Sequence, residues 1–501
     1  MQLGHALRIF SGQDHFSTLS NSRMSPRKFD LAVLGSGPSG QRAAISAAKS
    51  GKTVAIIERM RELGGVCVAT GTIPSKTMRE AAIHLSGIQQ RAFYGAAYRT
   101  KENITADDLR LRTHMVMNRE WEVIRGQLTR NHVEVFVGNG KFTGPHSISI
   151  DFHGKIQEIE ADNVVVAVGT RPYMPPGVEH DGVTILNADS ILDIKELPHT
   201  MTCIGGGVIG LEYASIFAVL GVHVTVVDLA KELLSFVDTE IVDALIYQLR
   251  QLNVVFRLGE RVDEVTADKS GSTPRAVTKL ASGKIIVSDV ALYSAGRQAN
   301  ADMIDGEKAG LEVDKRGKIK VNSRYRTSVD HIFAVGDVIG FPALASTSME
   351  QGRLAALEAF GIRDENQVAD IYPYGIYTIP EISTVGATEE LLTQESIPYE
   401  IGVARYREIA RGQILGDDTG VVKLIVDQRT RRLLGVHAIG TGATELIHIG
   451  QAVIAHNGTI DYLINAIFNY PTLAECYKTA ALDASNRLAA ISDIKKVSQP
   501  A

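Results

Sequence analysis

The sequence predicts an α/β protein built from two Rossmann-like dinucleotide-binding domains and a C-terminal α+β domain. Three observations carry that prediction. An apolar strand that runs through a glycine turn into a helix occurs twice, once from Phe29 to Lys49 and again from Met201. In both copies an acidic residue closes the next strand 23 positions after the first glycine, Gly35 to Glu58 and Gly205 to Asp228. From Pro373 the pattern changes to alternating strands and a closing helix. A chain of 501 residues is also too long for one ordinary core.

Composition removes several function classes. The formal net charge is -5 and the isoelectric point about 6.3, so no basic excess exists to neutralise a nucleic-acid backbone. Charges interrupt the apolar stretches every few positions, and no run of about 18 apolar residues could span a bilayer. The three cysteines, Cys67, Cys203 and Cys476, are too few for a disulfide framework and suit a reducing, cytoplasmic setting.

Residues 1–27 are polar and serine-rich, with Arg8, Arg23 and Arg27 against Asp14 and no apolar stretch after the basic positions. They read as a disordered tail, with Met24 as an alternative start and a transit peptide as a further reading. The first nucleotide unit then spans 28–195. Its strand Phe29-Asp-Leu-Ala-Val-Leu enters Gly35-Ser-Gly37-Pro-Ser-Gly40 and an alanine-rich helix. The glycines supply a tight turn, backbone approach to a pyrophosphate, and close helix–strand packing, with the helix N-terminus facing the phosphates. Glu58 stands where a carboxylate accepts hydrogen bonds from an adenosine ribose, followed by Arg59 as a further cofactor-binding candidate. The stretch from Ala81 to Leu128 is mostly helical and carries no chemical motif.

The second unit, 196–325, repeats the arrangement with Gly205, Gly207 and Gly210, a helix holding Glu212, and a strand ending on Asp228. Two copies at one spacing mean two dinucleotides. Asp228 suits the ribose of NAD and would repel a 2'-phosphate, an effect that Lys231 could offset. Cys203 lies on an apolar strand and reads as packing. A strand-and-glycine element at Ala291–Arg297, containing Gly296, closes the unit. Residues 326–370 return to the first domain, 371–490 form the C-terminal domain, and 491–501 read as a tail.

Between the first strand pair and the helical stretch lies Gly64-Gly65-Val66-Cys67-Val-Ala-Thr-Gly-Thr72-Ile-Pro-Ser-Lys76. With the turn at Gly169 and the Gly336-Asp337 element after an apolar strand, it resembles the class-I flavoprotein disulfide reductases, the family of dihydrolipoamide dehydrogenase and glutathione reductase. The resemblance covers about 28–488. It implies FAD on the first unit, a nicotinamide cofactor on the second, and a homodimer or larger homo-oligomer formed through the C-terminal domain. It also implies that Gly35, Gly37, Gly40, Glu58, Arg59, Gly64, Gly65, Val66, Cys67, Gly169, Asp337, Ala345 and Ser346 approach FAD. By the same resemblance Lys76 pairs with Glu212 beside the flavin.

Two departures from the family pattern decide the expected chemistry. Where the family has a second cysteine, this chain has Thr72, and a hydroxyl cannot form a disulfide or relay electrons as a thiolate. Where dihydrolipoamide dehydrogenase has a catalytic His, the matching stretch here is Tyr470-Pro471-Thr472-Leu473-Ala474-Glu475, and tyrosine, with a reference pKa of about 10, is a poor proton shuttle near neutrality. His448, on a helix of that domain, reads as a packing or surface histidine. Both losses remove thiol chemistry and spare nucleotide binding. The combination resembles the soluble, si-face-specific pyridine nucleotide transhydrogenases, which implies hydride transfer from NADPH to NAD+ through FAD without metal, membrane or nucleic acid. The readings held against it are a single-cysteine NAD(P)H oxidase or peroxidase, a dihydrolipoamide dehydrogenase-like enzyme, and a non-catalytic flavin-bearing subunit.

Overall fold

The computed structural model describes residues 26–362 and 371–497, so the expected tail at 1–27 lies, up to residue 25, outside the described residues. Strand β1 (Arg27–Leu34) is followed by helix α1 (Pro38–Lys49), strand β2 (Val54–Glu58), the short helix α2 (Gly65–Ala69) and helix α3 (Thr72–Ser86). β2 is buried along its whole length, as a central parallel strand covered on both faces must be. β1 pairs in parallel with β2 on one side and with the strand Lys155–Val166 on the other. The end of that long strand, Val164–Val166, pairs in parallel with Ile332–Ala334, so the chain returns to this sheet after visiting the second unit.

The second unit has a five-stranded parallel sheet with Thr200–Ile204 at its centre, flanked by His223–Asp228 and Val290–Tyr293. Its last strand in the chain is Val290–Tyr293. Ile185–Asn187 adds to its edge beside Val290–Tyr293. Arg297–Ala299 pairs back onto Thr170–Pro172, and Ala299, Ala301, Ile304 and Leu311 pack with Phe29 and Ala32 in the core of the first unit. These crossings use strands of three residues, too short to show a period in the sequence.

The C-terminal domain is a five-stranded antiparallel sheet in which Leu433–Ile439 lies between Ile382–Gly386 and Val421–Asp427. The helix Glu475–Val497 continues through positions read as tail, because an uninterrupted run without Gly or Pro has no stop signal. One packing relation positions the site. Met78, Ala81 and Ala82 of α3 are buried in the same core as Leu211, Ala214 and Ser215's neighbour Ile216 of the helix Val208–Val219. α3 therefore joins the two nucleotide units.

Candidate active site

The two glycine turns are built alike. Gly35 and Gly205 have φ of +102° and +103°, the left-handed region that glycine enters without penalty. A Cβ on Gly40 or Gly210 would lie 1.9 Å from the carbonyl oxygen of Gly35 or Gly205, so each helix rests directly on its turn. Gly37 and Gly207 have nothing within 4 Å of a Cβ position; the backbone at the start of each helix faces open space, as an anion bound at a helix N-terminus requires.

Each acid secures its turn. Glu58, 5 % exposed, accepts from Ser36 N at 2.9 Å and Ser36 Oγ at 2.7 Å, and from Met60 N at 3.1 Å. Ser36 Oγ accepts in turn from Gly64 N at 3.0 Å. Asp228 accepts from Gly206 N at 2.6 Å and Ala230 N at 2.7 Å.

Around the first turn lies a cleft of about 1600 Å³, open to solvent. Gly35, Gly37, Glu58, Arg59, Gly65, Val66, Cys67, Gly169, Asp337 and Ala345 all line it. Gly64 contributes through its bond to Ser36, and Gly40 through packing. Ser348, one turn along the helix Ala345–Ala359, lines the cleft in the role expected of Ser346, since i and i+3 share a helix face. Asp337 accepts from Thr170 Oγ1 at 3.3 Å, and that hydroxyl accepts from Arg297 Nε at 2.7 Å. Gly296, which has open space at its Cβ position, immediately precedes this arginine.

Cys67 and Thr72, the two residues spaced like a redox pair, line the same cleft. Burial raises the Cys67 thiol above its ordinary pKa, and the Thr72 hydroxyl offsets only part of that rise. All three cysteines are free. Cys203 is fully buried, and burial pushes its thiol to about 12, which fits its reading as packing.

Lys76 Nζ donates to Glu212 Oε2 at 2.7 Å, and Glu212 Oε1 accepts from Tyr377 N at 2.9 Å. The carboxylate is buried and the ammonium retains 26 % side-chain exposure, so the pair is anchored at the acid and open at the lysine. Lys76 Nζ also stands 5.0 Å from the Tyr377 ring centroid, a cation–π arrangement. His448 is exposed and meets Gln451 at 2.9 Å. Tyr470 is 74 % exposed on the loop before the last helix.

Residues 29–352 match the pyridine nucleotide-disulphide oxidoreductase family, and residues 372–481 match its dimerisation domain. The chain belongs to this family. Among curated members it is 54% identical over 472 residues to a soluble pyridine nucleotide transhydrogenase of Mycobacterium tuberculosis, covering 94% of this chain and 100% of the relative. It is 42% identical to the protein of the same name from Sodalis glossinidius, covering 93% and 100%. Two solved structures align with it at 26% identity. LpdA of Mycobacterium tuberculosis has a TM-score of 0.82, covering 91% of this chain and 99% of that one. A Cu(II) complex of the HOCl-induced flavoprotein disulfide reductase RclA of Escherichia coli has a TM-score of 0.81 with the same coverage. Among the described residues no helix is long and apolar enough to cross a membrane.

Some residues of this family member's cleft escaped sequence reasoning. Ser36, fully buried behind the cleft, sits inside the glycine motif, where the pattern places no demand. Asn300 and Met303 line the cleft from the segment that crosses back after Arg297. Arg171 Nη1 donates to Asn300 Oδ1 at 3.0 Å, and Arg59 Nη1 approaches Met303 Sδ at 3.5 Å. The signal for that segment was faint: a polar residue after a three-residue strand.

Proposed function

We propose that the protein is an FAD-dependent NAD(P)+ transhydrogenase that passes hydride from NADPH to NAD+ without a redox disulfide, working as a homodimer. The observation that carries this reading is Thr72 in place of a second cysteine, lining the same cleft as Cys67, in a chain that keeps both nucleotide turns intact. High identity to transhydrogenases over nearly the whole chain supports it.

The residues of the first cleft fit a flavin dinucleotide. The N-terminus of α1 at Gly37 would take the pyrophosphate, Glu58 and Arg59 the adenosine end, and Asp337 the ribitol side, with Gly65, Val66, Cys67 and Ala345 along the ring. Bound FAD supplies the hydride acceptor and donor between the two half-reactions. The second turn, with Gly207 and Asp228, receives NADPH and NAD+ in succession, with exposed Lys231 offsetting the repulsion between Asp228 and the 2'-phosphate, so one docking position serves both. Lys76 holds a positive charge at the seam between the units, and Glu212 fixes its place. This charge would stabilise negative charge that develops beside it during transfer. Cys67, kept neutral by burial, contributes packing. The dimerisation domain supports assembly as a homodimer, and free thiols suit the cytoplasm.

The deciding experiment is anaerobic stopped-flow. NADPH should bleach the flavin absorbance, and NAD+ alone should restore it, with no disulfide present. Cys67→Ser should retain this exchange within about threefold. If recovery of colour needs oxygen, a peroxide or a dithiol, or is lost in Cys67→Ser, the reading fails.

A further inference from the structure

On the face of the first unit away from the cleft, a notch of about 650 Å³, including its open mouth, is lined by Arg42, Ile45 and Lys49 of α1 and by Gln127, Arg130 and Asn131. The last three come from the end of the helix Ala106–Arg130. Arg42, Ile45 and Lys49 follow at i, i+3 and i+7, one stripe of α1; Gln127, Arg130 and Asn131 follow at i, i+3 and i+4. Two helices thus turn like charges toward each other. No acid lines the notch, and among the described residues none of its three cations has an ion-pair partner. This occurs in a chain whose net charge is -5.

The helix ends explain part of the arrangement. Lys49 and Arg130 lie in the last turns of their helices, where a cation complements a partial negative charge of about one half. Arg42 lies seven residues before Lys49, outside the last turn, where that effect has faded. Two helix ends offset about one of the three positive charges, which leaves about two. A phosphate dianion matches that surplus; the Gln127 carboxamide can donate to its oxygens, as can the second N–H of the Asn131 amide, whose first is given to Gln127 O at 2.8 Å. We infer that Arg42, Lys49 and Arg130 form a binding site for a phosphate-class oxyanion, separate from both nucleotide turns and built on the helix whose other end faces the cofactor cleft.

Isothermal titration tests this on the FAD-loaded full chain, with NAD+ saturating and ionic strength held constant with sodium chloride. Inorganic phosphate is expected to bind saturably. In the double variant Arg42→Gln/Arg130→Gln, binding should weaken by at least about tenfold, while circular dichroism, flavin absorbance and NADPH bleaching stay unchanged. A second arm uses glycerol phosphate: tighter binding than inorganic phosphate assigns the site to a phosphorylated metabolite, and equal or weaker binding assigns it to the free anion. Absence of saturable heat with both ligands, or heat that persists in the folded double variant, overturns the inference.

Discussion

The two nucleotide turns share their backbone and differ in what they are tied to. In the first, Ser36 Oγ links the Glu58 carboxylate to Gly64 N, so turn, acid and the segment carrying Cys67 are one hydrogen-bonded unit. In the second, the matching position is Gly206, where a Cβ would come within 2.4 Å of Leu233 Cδ2, and no hydroxyl can make such a link. Glu58 is buried, while Asp228 is half-buried and followed by exposed Leu229 and Lys231. This difference fits the proposed roles, with a retained group at the first turn and an exchanging ligand at the second. A shared fold element serves retention or exchange according to a single side chain and its neighbours.

The sharpest way to break this comparison is to damage each turn in the same manner. Gly40→Ala and Gly210→Ala each force a methyl group to 1.9 Å from a carbonyl oxygen, and the backbone must move. Gly40→Ala is expected to lose bound flavin, read as the ratio of visible to ultraviolet absorbance. Gly210→Ala should keep its colour yet no longer bleach with NADPH. Identical losses in both variants would contradict the division of roles.

Next in size is the lysine at the seam. Lys76→Met should slow bleaching by NADPH roughly a hundredfold without loss of flavin, measured by stopped-flow absorbance. A smaller effect is expected from Ser36→Ala, which leaves Gly64 N without its acceptor and takes one of two donors from Glu58 Oε2. The cost is about 1–3 kcal/mol, visible as a lower midpoint in thermal unfolding and faster flavin release on dilution. The smallest effect sharpens the role of Cys67. Its raised pKa keeps the thiol protonated at neutral pH, so iodoacetamide should label it more slowly than free cysteine. The rate should keep climbing at alkaline pH values where free cysteine has reached its plateau.

Much of the fold was legible because its decisive signals are local. Gly35, Gly40 and Glu58 constrain one another within a single strand–turn–helix unit, and the repeat at Gly205 makes the reading nearly self-checking. What escaped depends on contacts between distant residues. Ile185–Asn187 joins the second sheet because Val290–Tyr293 offers it an edge, and three residues carry no period that announces this. Asn300 and Met303 reach the cleft because the chain recrosses after Arg297. Lys76 and Glu212, 136 positions apart, came from the family resemblance, since neither position alone distinguishes a site residue from an exposed helix charge. Arg42 and Arg130 belong to helices that carry no chemical motif at those positions, and only their packing brings the stripes together.

The hydroxyl at Thr72 has a consequence for how such a protein would fare under poisoning. Trivalent arsenicals disable enzymes that work through a dithiol by bridging its two adjacent sulfurs. A solitary thiol beside an alcohol offers such a reagent no second attachment point. Exchange between the two nicotinamide pools would therefore persist in conditions that silence sulfur-dependent members of the same fold.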